Sequence, residues 1–256
     1  MTPSAQSERE LRSQLADFYH LVRHLGWDEL VFNHISARLP GAEERYLVNP
    51  FGLLYDEITP DNLITVSVEG ELVGESEYRA NPAGFALHGV IHANRPDVRC
   101  VAHTHSIALS AVAMKAAGID HDNFYGAQLS GRVAYHDFEG ITLYADERER
   151  MLASIGDKDV LILRNHGVAV CGRDIPSTFA LLWIVQRAAE VQLAAGSMAG
   201  PNQSLPDAVR QRCAADAHKI TSSSNAFGEL LFNSAVRQMK LDKGMVRNEA
   251  LAAVPA

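Results

Sequence analysis

Two histidines one residue apart, His103 and His105, sit in the stretch V-A-H-T-H-S between two apolar runs. In an extended chain, residues two apart face the same side, so both imidazoles point one way where a strand ends. Two imidazoles at that separation can converge on one cation, and zinc takes imidazole nitrogen at roughly 2.0–2.1 Å. A third ligand must come from elsewhere. The best candidate is His166 in L-I-L-R-N-H-G-V-A-V-C, which also stands where an apolar run breaks, with Gly167 after it to permit a tight turn. The same residues have plain structural uses. An H-x-H pair at a strand end can face solvent or cap a helix, and Asn-His-Gly is good turn chemistry by itself.

The chain has eleven histidines, so rivals must be weighed. His88 and His92 stand four apart on a helical stretch, a spacing that permits chelation. The H-E-x-x-H signature is absent, because Gly89 follows His88. His92 is expected on the solvated face, whereas His88 shares a face with Phe85 and Ile91 and fits core or surface equally. His20, His24, His121 and His218 lie among charged residues and are expected at the surface; His136 fits either setting. No G-x-S-x-G elbow, P-loop or G-x-G-x-x-G after a strand is present. Cys100 and Cys171 lie in apolar strands and read as inert core.

The elements that must position these groups follow from periodicity. Leu11, Leu15, Phe18, Leu21 and Leu25 give one apolar face to a helix over 7–25. Strands are expected over 30–39, 45–50, 63–68 and 98–105, and in the segments R-V-A-Y-H-D, I-T-L-Y, V-L-I-L and V-A-V-C. V-E-G-E reads as a hairpin turn before Leu72. Asn81 and Pro82 open a helix that runs to Asn94, since Asn caps well and Pro suits the first helical position. Further helices are expected over 106–115, 147–155 and 177–195, with one or two more after Gly200 and a loose or docked end at A-L-A-A-V-P-A. Strands and helices intermix without strict βαβ alternation, which favours a mixed or antiparallel sheet with helices on its faces.

Composition bounds the function. The 256 residues suit a single α/β domain, and no linker or internal repeat divides them. A net charge of −8 argues against nucleic acid or an anionic membrane as partner. Three cysteines without a C-x-x-C pair suit a reducing compartment. The N-terminus lacks the apolar stretch of a signal peptide, and no run is long enough to span a bilayer, so a cytoplasmic protein is expected.

In order along the chain, F-N-H-I-S-A-R-L-P, N-P-F-G-L-L-Y-D-E-I-T, R-P-D-V-R-C-V-A-H-T-H-S and L-R-N-H-G-V-A-V-C-G resemble the class II aldolase/adducin family. The resemblance covers roughly Leu11 to Ala195, with the residues after about 200 as a C-terminal helical extension. It implies a three-layer α/β/α sandwich around a largely antiparallel sheet. It also implies a divalent metal on His103, His105 and His166, zinc above all, with manganese or iron as alternatives. A homotetramer with sites at subunit interfaces is implied as well.

Departures from the family pattern carry information. The acid/base glutamate of the aldolases aligns with Gly84, and the serine pair of their phosphate pocket aligns with Pro82-Ala83. A turn threonine becomes Phe51, before Gly52, and a small polar residue near the phosphate becomes His34. Apolar groups would not repay the desolvation of a phosphate dianion, so a non-phosphorylated oxo- or hydroxy-acid is expected as substrate. His34 and Tyr125 are the candidate proton-transfer groups, with Glu77 read as a solvated loop residue. Phe51, Gly52 and Gly84 would line the substrate site, and Arg38 would pair with a substrate carboxylate or serve a structural ion pair. The expected activity is a metal-dependent carbon–carbon lyase working through a metal-stabilised enolate, either decarboxylase or aldolase. Decarboxylation is slightly favoured, because it needs no base to start. An iron oxygenase on the same histidines and a non-catalytic adducin-like interaction module are the alternatives.

Overall fold

The computed structural model describes residues 7–41, 44–141, 145–222 and 226–245. Most of the I-T-L-Y strand expected at 141–144 and the A-L-A-A-V-P-A end lie outside those residues. The first helix, α1 (Glu8–His24), begins as its sequence dictates. The Ser7 hydroxyl accepts from the Glu10 backbone N–H, and the Glu10 carboxylate accepts from the Ser7 N–H at 2.9 Å. Its Leu11, Leu15, Phe18 and Leu21 are buried.

Seven strands form one sheet: β1 (His34–Arg38), β2 (Arg45–Val48), β3 (Ile64–Ser67), β4 (Cys100–Thr104), β5 (Val133–His136), β6 (Val160–Leu163) and β7 (Gly167–Gly172). Their order is β3-β2-β1-β4-β7-β6-β5. Every neighbouring pair is antiparallel except β5–β6, whose crossover carries α5 (Ala145–Ile155). On one face lie α2 (Pro82–Asn94) and α5; on the other lie α1, α3 (Ile107–Ala113), α6 (Ile175–Gly196) and, after α4 (Phe124–Gln128) and α7 (Asp207–Ser222), α8 (Ala226–Asp242). The result is the three-layer α/β/α arrangement that the family resemblance implies.

Period-two alternation decides which side chain meets which layer. On β1, Ile35 and Ala37 join the large core under α1 and α6, as do Cys100 and Ala102 on β4. Val101 faces the smaller core under α2 and α5. His34, Ser36 and His103 therefore project toward the α2 side. The large core is centred on Phe18, Phe179 and Phe232, edge-to-face with ring centroids 5.5–6.4 Å apart. Burying each ring stabilises the fold by about 1.5–3 kcal/mol. Since Phe232 belongs to α8, the packed core extends beyond residue 195.

Two local expectations are corrected. The strand expected from Leu30 starts only at His34. Residues 29–32 turn instead, with Leu30 at φ 49° and the Phe32 N–H donating to the Glu29 carbonyl. The short helix α4 was not anticipated. Asn123 caps it by accepting from the N–H groups of Tyr125 and Gly126, a feature too brief to show as periodicity.

Candidate metal centre

The sheet brings His103 and His166 together by pairing β4 with β7. Thr104 stands opposite Val168, so β4 runs out beside the β6–β7 hairpin that carries His166. That hairpin turns through Arg164, Asn165 and His166, with Asn165 at φ 57°, a left-handed conformation that asparagine tolerates well. Gly167 is required by close approach. A Cβ there would lie 2.6 Å from the Thr104 carbonyl oxygen and 2.8 Å from His105 Cδ2. Ser110 of α3 pins both loops, its hydroxyl lying 3.1 Å from the His105 carbonyl and 2.9 Å from that of His166.

One ring nitrogen from each of His103, His105 and His166 falls within 4.8 Å of the others. Their protons can be placed from their partners. His103 Nδ1 lies 3.1 Å from the Val168 carbonyl oxygen, which can only accept, so Nδ1 carries the hydrogen. His105 Nδ1 likewise donates to the Glu29 carboxylate at 2.9 Å. The two Nε2 atoms face each other at 2.6 Å, and in the neutral rings each presents a lone pair there. A cation between them removes that repulsion. Burial holds His103 neutral by pushing its pKa well below the ordinary value, with neighbouring His105 adding to the effect. Burial first, and His105 second, lower His166 to about 4. Neutral imidazoles with outward Nε2 lone pairs and Nδ1–H groups tied to a carbonyl and a carboxylate are the donor set and outer shell that zinc sites use. The residues present therefore fit a divalent metal.

A cleft of about 280 Å³ opens onto the three histidines. Phe32, Leu87, Phe138, Ile141, Met151 and Leu163 give it apolar walls; His34 and Asn81 supply further polar groups. No Lys or Arg lines it among the described residues. His34 stands opposite His103 across β1–β4, ring centroids 4.9 Å apart. Its far edge fills the space beside Gly84: a Cβ at that glycine would lie 3.4 Å from His34 Cδ2 and Nε2.

The other candidates lie elsewhere in the chain. Tyr125 is partly buried on α4, packs against the large core and does not line the cleft. Arg38 ends β1 four residues from His34, roughly 13 Å away along a strand, and donates to the backbone carbonyl of His92. Phe51 and Gly52 form the turn after β2, with Phe51 half exposed and Gly52 at φ 102°. None of these three lines the cleft. The expectation for His92 is corrected: it is 1% exposed, as is His88. Both rings reach the sheet because Ser36 meets them there, and no helical pattern could show that. Glu29 was missed as well, since nothing in its local sequence announces a partner 76 residues on.

Fold and site together define an α/β/α protein with three histidines, placed to hold a metal ion, at the end of a central antiparallel strand pair. The chain belongs to the class II aldolase and adducin family, whose N-terminal domain model matches residues 13–193. It is 41% identical over 191 residues to a protein of Pseudomonas aeruginosa named for class 2 aldolases, covering 75% of this chain and 73% of that one. It is 37% identical over 203 residues to rat alpha-adducin, covering 78% of this chain and 28% of the adducin. Among solved structures, an aldolase II superfamily protein from Pseudomonas syringae matches with TM-score 0.87 and 35% identity, over 94% of this chain and 96% of that one. An L-fuculose 1-phosphate aldolase from Glaciozyma antarctica matches with TM-score 0.80 and 25% identity, over 96% of both chains.

Proposed function

We propose that this protein is a zinc-dependent carbon–carbon lyase acting on a non-phosphorylated oxo- or hydroxy-acid. The observation that carries the reading is the convergence of His103 and His105, their Nε2 atoms 2.6 Å apart, with a ring nitrogen of His166 within reach of the same point. A divalent ion held there by His103, His105 and His166 supplies Lewis-acid polarisation of a substrate carbonyl and stabilises the negative charge that develops on it. The protein's own residues do the rest. His34 faces the cleft beside Gly84 and is the proton-exchanging group in place of the family's glutamate. The apolar walls exclude water. The lack of Lys and Arg in the cleft among the described residues favours a substrate without a phosphate. Exposed Ile107, Met114 and Phe124 on and near α3 and α4 favour assembly of several copies, and we read the protein as a homotetramer. Among the described residues no helix is long and apolar enough to cross a membrane, and the cysteines are free; both suit a cytoplasmic protein.

A second reading draws on the adducin relatives: an interaction module that retains the fold without catalysis. Elemental analysis of protein purified without chelator or metal-affinity tag separates the two. Near-stoichiometric zinc in the unmodified chain, and none in a His103→Ala, His105→Ala variant, is expected. A chain that stays metal-free after addition of zinc, manganese and iron would overturn the lyase reading and favour the module. Bound iron, with activity lost under anaerobiosis, would indicate oxygen chemistry instead.

A further inference from the structure

His34 is the first member of a buried series. Its Nδ1 lies 2.7 Å from His88 Nε2; His88 Nδ1 lies 2.5 Å from the Ser36 hydroxyl; that hydroxyl lies 2.7 Å from His92 Nε2. His34 is 5% exposed and the other three at most 1%. Two strand positions on one face of β1 thus interleave with two helix positions four apart on α2, an arrangement that needs strand and helix periods to coincide. Four polar groups stacked in a core are costly unless paired, and here they pair with one another; of their ring nitrogens and hydroxyl away from the cleft edge, His92 Nδ1 alone is buried without a partner among the described residues.

Proton counting restricts the series. In the neutral form each ring carries one N–H and one lone pair, and burial favours that form at His88 and His92. Ser36 has one hydrogen and can accept twice. Three arrangements then make every link a hydrogen bond. In the first, hydrogens run inward from His34 to His92. In the second, Ser36 accepts from both His88 and His92. Both give His34 a hydrogen on Nδ1 and a bare Nε2. The third runs outward from His92 and places a hydrogen on His34 Nε2, adding a positive end to a ring whose centroid lies 4.9 Å from that of His103, beside which a cation would sit. Electrostatics disfavours that third arrangement.

We propose that His88, Ser36 and His92 are positioning residues that lock His34 in the tautomer with its Nε2 lone pair turned toward the cleft. The assignment rests on the lyase reading above and sharpens it. A bare Nε2 suits the step in which a base takes the proton of a substrate hydroxyl. The carbon–carbon bond then breaks, its electron pair passes into the neighbouring carbonyl system, an aldehyde leaves, and His34 returns the proton to the carbanionic carbon. Decarboxylation offers His34 no proton to take first. The substrate class is therefore a hydroxy-acid cleaved in the retro-aldol sense, and Gly84 is small because the base has moved from α2 to β1.

The test is solid-state ¹⁵N NMR of the full chain labelled with ¹⁵N-histidine, measured with and without added zinc and assigned through single-histidine variants. The expected result is a protonated Nδ1 and bare Nε2 on His34, and a protonated Nδ1 on His88. In Ser36→Ala the His88 hydrogen is expected to move to Nε2, and that of His34 to shift from Nδ1 toward Nε2, with zinc uptake unchanged. A protonated His34 Nε2 in the unmodified chain overturns the proposal, and that measurement decides even if the variant does not fold. A His34 tautomer indifferent to Ser36→Ala overturns it as well. Failure to take up zinc would instead strike the lyase reading, because the tautomers are also read in the metal-free chain.

Discussion

Acidification of the metal-free protein should unfold it through its buried histidines. His92 is the clearest case, since it is 1% exposed and burial, with Arg38 nearby, lowers its pKa to about 3. In the unfolded chain its ordinary value is about 6.5. The unfolded state therefore takes up a proton that the folded state refuses, and stability falls as pH drops from 6.5 toward 3. Between pH 6.5 and 4.5 the loss from His92 is about 2.3 kcal/mol, since the slope rises from half of roughly 1.36 kcal/mol per pH unit at pH 6.5 to its full value below. His88 is shifted in the same direction, chiefly by burial and then by His92, so the pair has a ceiling of about 5 kcal/mol over that window. Whole domains are stable by only about 5–15 kcal/mol. Urea unfolding at half-unit pH steps, with chelator present, is the assay. His92→Gln, which keeps a neutral polar group at the position, should remove about 1.4 kcal/mol per pH unit from the slope below pH 6. Stability that is flat from pH 6.5 to 4.5, or an unchanged slope in His92→Gln, would refute the burial argument.

Glu29→Ala removes the acceptor that orients His105 and should weaken zinc binding by about 10- to 100-fold; competition against a chromophoric chelator measures it, and an unchanged affinity would mean that the ring is fixed by other means. Gly167→Ala drives a methyl group into the Thr104 carbonyl and the His105 ring. It should cost about 1–3 kcal/mol and reduce zinc uptake, read by thermal melting and elemental analysis of the same sample.

Much of this was readable in the sequence, for reasons that differ by element. His103, His105 and His166, which the structure brings together, stand where apolar runs end, so their local context carried the signal. The capped helix α1 and the strands β4, β6 and β7 were likewise written in contiguous residues. The His34–His88–Ser36–His92 series was not readable in that way. Its members are 52–56 residues apart in the pairs that touch, and only the register of β1 against β4, with α2 laid over it, makes Ser36 a partner. Helical spacing alone put His92 in solvent. Glu29 and the turn at Leu30 escaped for the same reason. A run rich in Leu, Val and Phe reads as strand until tertiary structure bends it.

The three clustered histidines hang from β4 and the β6–β7 hairpin, whereas His34, the proposed proton-exchanging group, stands in a corner made by β1 and α2. The two halves of the site meet across a single strand boundary. On the proposed reading, reaction type in such a scaffold would be an exchangeable part: trading bulk between positions 34 and 84, which share one space, would relocate the acid or base by one layer and leave the histidine cluster in place. Redesign of this centre should accordingly treat residues 34 and 84 as one two-residue cassette, to be varied jointly, and leave the hairpin untouched.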